Sequence, residues 1–176
     1  MTLPETLDVE AALIYFDAYM YSPLPGKMRM FERRGLHPRI TMPGDWEVFA
    51  AILVRTTGTE SNSGIDLAGY EVKSAQDRGG FEYQYHRRSW QKKFENDREA
   101  DHVYIAHRDN LAFVEVWHCE GSDIASFLDA WLKDQPYSTA SEQRFRRSIS
   151  YRWVTEHTTL LLRIEDGRAT YEYGQQ

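Results

Sequence analysis

The residues best suited to chemistry lie in the segment 63–74, where the pattern predicts a β-hairpin with a two-residue turn at Ala68 and Gly69. Counting outward from this turn places Asp66 opposite Glu71, and strand alternation puts both carboxylates on one face together with Lys73. Two adjacent carboxylates repel each other unless a cation lies between them, and hard oxygen ligands suit Mg²⁺. The hairpin therefore predicts a magnesium site with an ammonium group beside it.

Two alternatives to this hypothesis stay open at the level of sequence. A three-residue turn with Gly69 in a bulge would remove Asp66 from its place opposite Glu71. An ordinary solvated strand face would carry the same mixed charges without forming a site. The chain has only five lysines, however, and Lys73 is the only one that follows an acidic residue by two positions, which favours the site.

Such a site suits the hydrolysis of a phosphodiester. Metal ions held by Asp66 and Glu71 would lower the pKa of bound water and neutralise developing charge, and the carbonyl of Val72 would complete the coordination. Up to two Mg²⁺ ions are expected, with Mn²⁺ able to substitute and Ca²⁺ supporting binding alone. Lys73, close to a carboxylate pair, is expected to orient the water and balance charge rather than act as a free base.

Composition limits the class of protein. A chain of 176 residues is long enough for a single domain with a hydrophobic core, and its one cysteine, Cys119, excludes an internal disulfide and suits a reducing cytoplasm. The sequence contains no apolar run of membrane-spanning length, so no membrane partner is expected. The net charge of −6 argues against a simple nucleic-acid coat protein, but a nuclease with clustered acids remains compatible with it.

Two basic clusters downstream of the hairpin are candidates for contact with DNA. Glutamine suits adenine and arginine suits guanine in the major groove, whereas arginines elsewhere clamp phosphates. The alternative for each cluster is a solvated surface, and for His86 it is a contact with a backbone group. The candidate DNA-binding residues are Gln84, His86, Arg87, Arg88, Arg144, Arg146 and Arg147, with Lys92 and Lys93 near the first cluster. The five other histidines, at positions 37, 102, 107, 118 and 157, are expected to be structural.

The element pattern indicates an α/β or α+β fold with a central mixed β-sheet flanked by helices. Capping-box spacing at Thr2 and Glu5 predicts a first helix to about Tyr21, which Pro23 and the Pro25-Gly26 pair should end. A second helix is expected after an Asp45 cap and another after a Ser122 cap. The predicted strands are 103–106 and 111–117, paired through a turn at 108–110, and 160–164 and 169–173, joined at Asp166-Gly167.

The order of several short segments resembles the PvuII-like type II restriction endonucleases of the PD-(D/E)xK family. The similarity extends from about residue 44 to residue 162, and includes segments 58–62, 68–74, 80–81 with His86, 103–106 and 151–157. It implies a PD-(D/E)xK core in a homodimeric, Mg²⁺-dependent enzyme that cuts both strands of a short palindromic site in double-stranded DNA. It also implies a cognate DNA methyltransferase in the host.

The resemblance divides the chain into a helical N-terminal region at 1–40, with a possible role in dimerisation, a catalytic core at 44–134, and a DNA-recognition and closing β region at 135–176. An ungapped alignment places the family's metal-binding aspartate at Ser63, whereas strand pairing favours Asp66; Glu60 is the reserve ligand. The family's histidine-rich and paired-asparagine recognition segments correspond here to Gln84-Tyr85-His86 and Phe145-Arg146, so a different DNA sequence should be recognised.

Two other functions remain open. A repair or junction-resolving nuclease on the same core would prefer structured or damaged DNA to a defined duplex sequence. A non-enzymatic globular binding module would leave the hairpin acids facing solvent.

Overall fold

A computed structural model describes residues 7–36, 43–59, 65–86, 88–133 and 144–174; for Pro43 and Arg144 it describes the backbone alone. The fold is α+β, with a five-stranded mixed sheet flanked by helices. This confirms the coarse architecture that was predicted from the sequence.

The large sheet has the strand order β1-β3-β4-β6-β7. Strand β1 pairs parallel to β3, and all of the other neighbours are antiparallel. The hairpins β3–β4 and β6–β7 confirm two predicted strand pairs, the second with Asp166 and Gly167 at positive φ in its turn. The strands are β1 Tyr70–Gln76, β3 Asp101–His107, β4 Phe113–Cys119, β6 Thr159–Glu165 and β7 Arg168–Glu172.

A second sheet consists of two antiparallel strands, β2 Gly80–His86 and β5 Arg144–Ser150, which we call the ribbon. Its burial alternates strictly along β2, because Phe81, Tyr83 and Tyr85 are buried whereas the residues between them are exposed. The ribbon therefore has one face in the protein core and one polar face in solvent.

Helices cover both faces of the large sheet, and strand alternation separates two cores. Val103 and Ile105 on β3 belong to the core beneath the N-terminal helices, whereas Tyr104 and Ala106 belong to the core shared with the ribbon. The helices are α1 Val9–Tyr15, the π-helical segment Phe16–Tyr21, α2 Leu24–Arg33, α3 Pro43–Leu53, α4 Trp90–Glu99, α5 Ala125–Lys133 and α6 Tyr151–His157. Of the helices described, none combines the length and the apolar character needed to cross a bilayer.

The N-terminal helices agree with the sequence expectation at one end and differ from it at the other. Residues Thr2 and Glu5 of the predicted capping box lie outside the described residues, and the N-cap of α1 is Asp8, whose Oδ1 accepts a hydrogen bond from the Ala11 N–H at 3.2 Å. The first helical segment ends at Tyr21 as predicted, but a further helix, α2, follows after a two-residue turn and was not predicted. Pro23 is the N-cap of α2 and Pro25 lies in its first turn, where a missing N–H costs no helical hydrogen bond.

Two other predicted caps are also wrong. Helix α3 begins at Pro43, so Asp45 lies inside its first turn, where Oδ1 accepts a hydrogen bond from the Tyr15 hydroxyl at 3.2 Å. Helix α5 begins at Ala125, and Ser122 precedes it by a turn. In both places the acidic or hydroxyl residue lies near the helix start, but tertiary contacts and a preceding turn set the boundary.

Replacement of Asp8 tests the observed cap. Asp8→Ala should lower the free energy of unfolding by about 1 kcal/mol, because the Ala11 N–H loses its acceptor. Asp8→Asn keeps the capping oxygen but removes the charge that faces Arg55 at 3.7 Å. This variant should lower the free energy of unfolding by only about 0.3 kcal/mol. Urea unfolding measures the stability of both variants. If the two variants lose the same free energy of unfolding, the ion pair with Arg55 and not the cap is responsible for the contribution of Asp8.

Candidate active site

The acidic hairpin has the predicted two-residue turn at Ala68 and Gly69. Leu67 and Tyr70 exchange both backbone hydrogen bonds, at 2.9 and 3.1 Å, and Gly69 has the positive φ that this turn requires. The three-residue turn is therefore not the one that forms. The strand ladder stops at Leu67, however, so Asp66 is not a regular pairing partner of Glu71 as the sequence predicted.

Asp66 instead approaches β1 through its side chain. Its Oδ2 accepts a hydrogen bond from the Val72 N–H at 2.9 Å. The N–H and C=O of one strand residue point to the same side, so the Val72 carbonyl also points away from β3, towards the edge where Asp66 lies. This geometry is compatible with the metal-ligand role predicted for the Val72 carbonyl.

Glu71 lies on the opposite face of β1 from Tyr70 and Val72, and only 1% of its side chain is exposed. Lys73 donates a hydrogen bond to Oε1 of Glu71, and so does Lys93, at 2.6 Å. Burial alone would raise the pKa of Glu71, but the two ammonium groups hold this pKa below its ordinary value. The buried carboxyl is therefore kept ionised.

Helix α4 contributes two residues that the sequence analysis did not identify as part of this site. Lys93 was assigned to a surface basic cluster, but its Nζ bridges Glu71 and Asp97 Oδ1, the latter at 3.1 Å. The i, i+4 spacing puts Lys93 and Asp97 on one helix face. Burial, followed by repulsion from Glu71, raises the pKa of Asp97. The spacing was visible in the sequence; what the sequence lacked was the contact between α4 and β1.

Two other carboxyl groups interact with Glu71. Burial, followed by the charge on Glu71, raises the pKa of Asp66. Burial, followed by the charge on Asp66, raises the pKa of Glu47, which lies on α3. Both shifts mark a region where negative charge is crowded and a cation would be favourable.

The residues present fit a hard cation. Among the described residues, Glu71 Oε2 has no hydrogen-bond partner although it is fully buried, and Asp66 is close enough to perturb it electrostatically. A divalent ion would satisfy that oxygen and offset the repulsion. In the part of the chain that is described, no three histidine, cysteine or acidic side chains cluster as metal ligands. The protein would accordingly supply two carboxylates and a backbone carbonyl, with water at the other positions.

The aromatic ring of Tyr83 lies beneath the Lys73 ammonium group. The Lys73 Nζ lies 5.2 Å from the centre of the Tyr83 ring, within the range of a cation–π contact. The Tyr83 hydroxyl is within hydrogen-bond distance of Tyr104 Oη at 2.7 Å and His102 Nδ1 at 3.0 Å, and His102 Nε2 lies 2.7 Å from the Asp97 carbonyl oxygen. This buried network fixes the ring, and through it the position of Lys73.

The two predicted recognition clusters are joined in the ribbon. Gln84 pairs with Arg146, and both are exposed on its polar face. Glu82 contacts both of them, because its Oε1 accepts a hydrogen bond from Gln84 Nε2 at 2.6 Å and its Oε2 lies 3.6 Å from an Arg146 nitrogen. His86 is exposed at the end of β2 and lies opposite Arg144.

Arg146 and Arg147 point to opposite faces of β5. Arg147 lies on the side of the buried Phe145, and its guanidinium carbon is 4.1 Å from the centre of that ring. Of these two arginines, Arg146 is therefore the one that shares the polar face with Gln84. The Arg88 N–H lies 3.4 Å from His86 Nδ1, which is the backbone contact anticipated as an alternative role for His86.

Three predicted site residues, Glu60, Ser63 and Arg87, lie outside the described residues, and so does His37. The choice between Asp66 and Ser63 as the metal ligand stays a prediction. The histidines at positions 102, 107 and 118 and Cys119 are buried. His157 is exposed and stacks on Trp153.

No protein-family model matches the chain, and a comparison with curated proteins finds no match. The geometry of the site is therefore the basis for assigning a function.

The buried network makes stability depend on pH. Burial lowers the pKa of His102 to about 4, below its ordinary value of 6.5, so the unfolded chain binds a proton that the folded protein excludes. The contribution of His102 to stability is complete above pH 6.5 and is lost as the pH falls towards 4. Between pH 6.5 and pH 5 this loss should reach about 2 kcal/mol.

Urea unfolding of the wild type and of His102→Gln at several pH values measures the contribution. The variant should be less stable at pH 7 but should show a flatter pH dependence below pH 6.5, because it lacks the titrating ring. Parallel curves for the two proteins would contradict the assignment of a neutral, buried His102.

Proposed function

We propose that this protein is a Mg²⁺-dependent endonuclease of the type II restriction class, with a PD-(D/E)xK core. It would hydrolyse both strands of double-stranded DNA at a short palindromic site. The observation that carries the proposal is the buried, ionised Glu71, which has Lys73 on one oxygen, no protein donor among the described residues on the other, and Asp66 nearby.

Each residue has a separate task in this reaction. Asp66, Glu71 and the Val72 carbonyl would hold the ion, which when bound supplies charge neutralisation and acidifies coordinated water. Lys73 holds Glu71 and presents a positive charge where the attacking water and the phosphoryl oxygens would lie. The attacking water gives up a proton to bulk water as its oxygen bonds to phosphorus, the bond to the 3′ oxygen breaks, and that oxygen takes up a proton from bulk water.

The ribbon supports a role in recognition. A two-stranded antiparallel ribbon fits the major groove, and the polar face carries side chains that can contact base edges. Gln84 suits adenine, Arg146 suits guanine, and Glu82 can accept a hydrogen bond from cytosine. Arg88 and Arg147 are then better suited to phosphate contact or to support of the ribbon.

A homodimer is part of the proposal, because a palindromic site is matched by two identical subunits related by a two-fold axis. The N-terminal helices expose several large apolar side chains that could contribute to the dimer interface expected in this region. These residues are Ile14, Tyr19 and Met30. A host methyltransferase that protects the same site would be the functional partner of the enzyme.

Digestion of mixed plasmid DNA with Mg²⁺ tests the proposed function. Discrete fragments with a common end sequence are expected. Nicking confined to branched or damaged substrates would instead identify a structure-specific nuclease. DNA that stays intact with every divalent ion tested would indicate a non-enzymatic binding module.

Replacement of Lys73 tests the proposed active site. Lys73→Ala should reduce cleavage by about 10³-fold or more, because the charge at the reacting phosphate is lost, while specific DNA binding in Ca²⁺ persists. Lys133→Ala is the matched control: Lys133 is an exposed lysine at the end of α5, and its loss should leave cleavage within about two-fold. Persistent cutting by Lys73→Ala would remove the active site from β1.

The two faces of β5 give a second comparison. Arg146→Ala should relax the choice of one base pair, corresponding to about 1–3 kcal/mol of discrimination. Arg147→Ala should weaken binding evenly across sequences, or lower stability through the lost contact with Phe145. Binding to a panel of duplexes at two salt concentrations separates the outcomes. A loss of base choice in Arg147→Ala alone would mean that the opposite face of the ribbon meets the bases.

A further inference from the structure

Lys93 joins the two most deeply buried carboxylates near the site. Its Nζ is 2.6 Å from Glu71 Oε1 and 3.1 Å from Asp97 Oδ1, and both acids are almost fully buried. A cation that bridges two buried carboxylates is the usual arrangement of a metal ion shared between acidic ligands. Here the bridging cation is an ammonium group that the chain itself provides.

The ammonium group is held firmly in this position. Lys93 lies on α4, whose Phe94 packs against Tyr85 of the ribbon with ring centres 4.2 Å apart. This contact fixes the helix against the ribbon, and 19% of the Lys93 side chain is exposed. Lys93 is therefore a partly buried residue held in the site by packing, rather than a mobile surface lysine.

The charges around the site are balanced for one added cation. Asp66, Glu71, Asp97 and Glu47 carry four negative charges when ionised, against two positive charges on Lys73 and Lys93. One divalent ion changes this net charge from −2 to zero, whereas two divalent ions would change it to +2. Glu71 Oε1 is already shared by two ammonium groups, which leaves Oε2 for a metal.

We propose that Lys93 occupies the position of a second divalent cation, so that the site binds a single divalent ion on the side of Asp66 and Glu71 Oε2. This inference rests on the proposed function, since it assumes that the site is a metal site. It assigns Lys93 a positioning role: the lysine acts through Glu71 and Asp97 and does not contact the substrate.

Metal stoichiometry tests the inference without any measurement of activity. Titration of the full chain with Mn²⁺, followed by electron paramagnetic resonance of the free ion and by calorimetry, should give one tight site per chain. Lys93→Met keeps the length of the side chain but removes its charge, and should bind two Mn²⁺ ions because Glu71 and Asp97 are left facing each other. The added Asp97→Asn change in that variant should restore a stoichiometry of one.

Lys92→Met, next to Lys93 on α4 but exposed, is the matched control and should keep one ion. Circular dichroism verifies that each variant is folded, and Lys93→Gln replaces Lys93→Met if the latter does not fold. Two ions in the wild type, or only one in the folded Lys93 variants, would overturn the role of Lys93 while leaving the nuclease proposal intact. If neither the wild type nor any of the variants binds Mn²⁺, the metal site is overturned, and the proposed function with it.

Discussion

The site depends on keeping the charge of Glu71 inside the protein. Removing a carboxylate from water costs several kcal/mol, on the order of 3–5 when one partner of a buried pair is missing, so the charge must be compensated locally. Lys73 supplies one ammonium group from the same strand and Lys93 supplies another from α4. The packing of Phe94 on Tyr85 places α4 so that Lys93 reaches Glu71, and Lys93 compensates Asp97 on the same helix face as well.

The aromatic core under the ribbon strengthens the ion pairs of Glu71 and fixes the position of Lys73. Water is excluded by Phe81, Tyr83 and Tyr85, which are all fully buried, so the ion pairs are stronger there than at a surface. The Tyr83 ring lies beneath Lys73, and the hydroxyl beyond that ring is fixed by Tyr104 and His102. The hydrophobic and electrostatic parts of the site are therefore one structural unit.

The sequence predicted what local spacing controls. The turn at Ala68 and Gly69 and the strand pairs β3–β4 and β6–β7 follow from alternation and turn chemistry, and the structure confirms them. The predicted alternation that puts Glu71 and Lys73 on one face of β1 was also correct, because the two side chains form an ion pair.

Contacts between distant elements were not predicted. Lys93 and Asp97 lie in a run of charged residues that has the composition of a solvated helix, and only the packing of α4 on β1 gives them a role. The antiparallel pairing of β2 with β5 joins residues about 60 positions apart, which no local pattern indicates. Helix α2 was missed because a proline in a first turn is compatible with a helix, whereas the same residue in a helix interior would end it.

Strand β2 also connects the polar face of the ribbon to the candidate site. Gln84 faces outward and Tyr83 faces inward, and a single peptide plane separates them. Because that plane is stiff and the core beneath is close-packed, a small displacement on the outer side of the strand would move the Tyr83 ring that lies beneath Lys73. In the proposed nuclease, a duplex that fits the ribbon poorly would thus misplace the Lys73 ammonium group, and the rate of bond cleavage would distinguish DNA sequences that bind equally tightly.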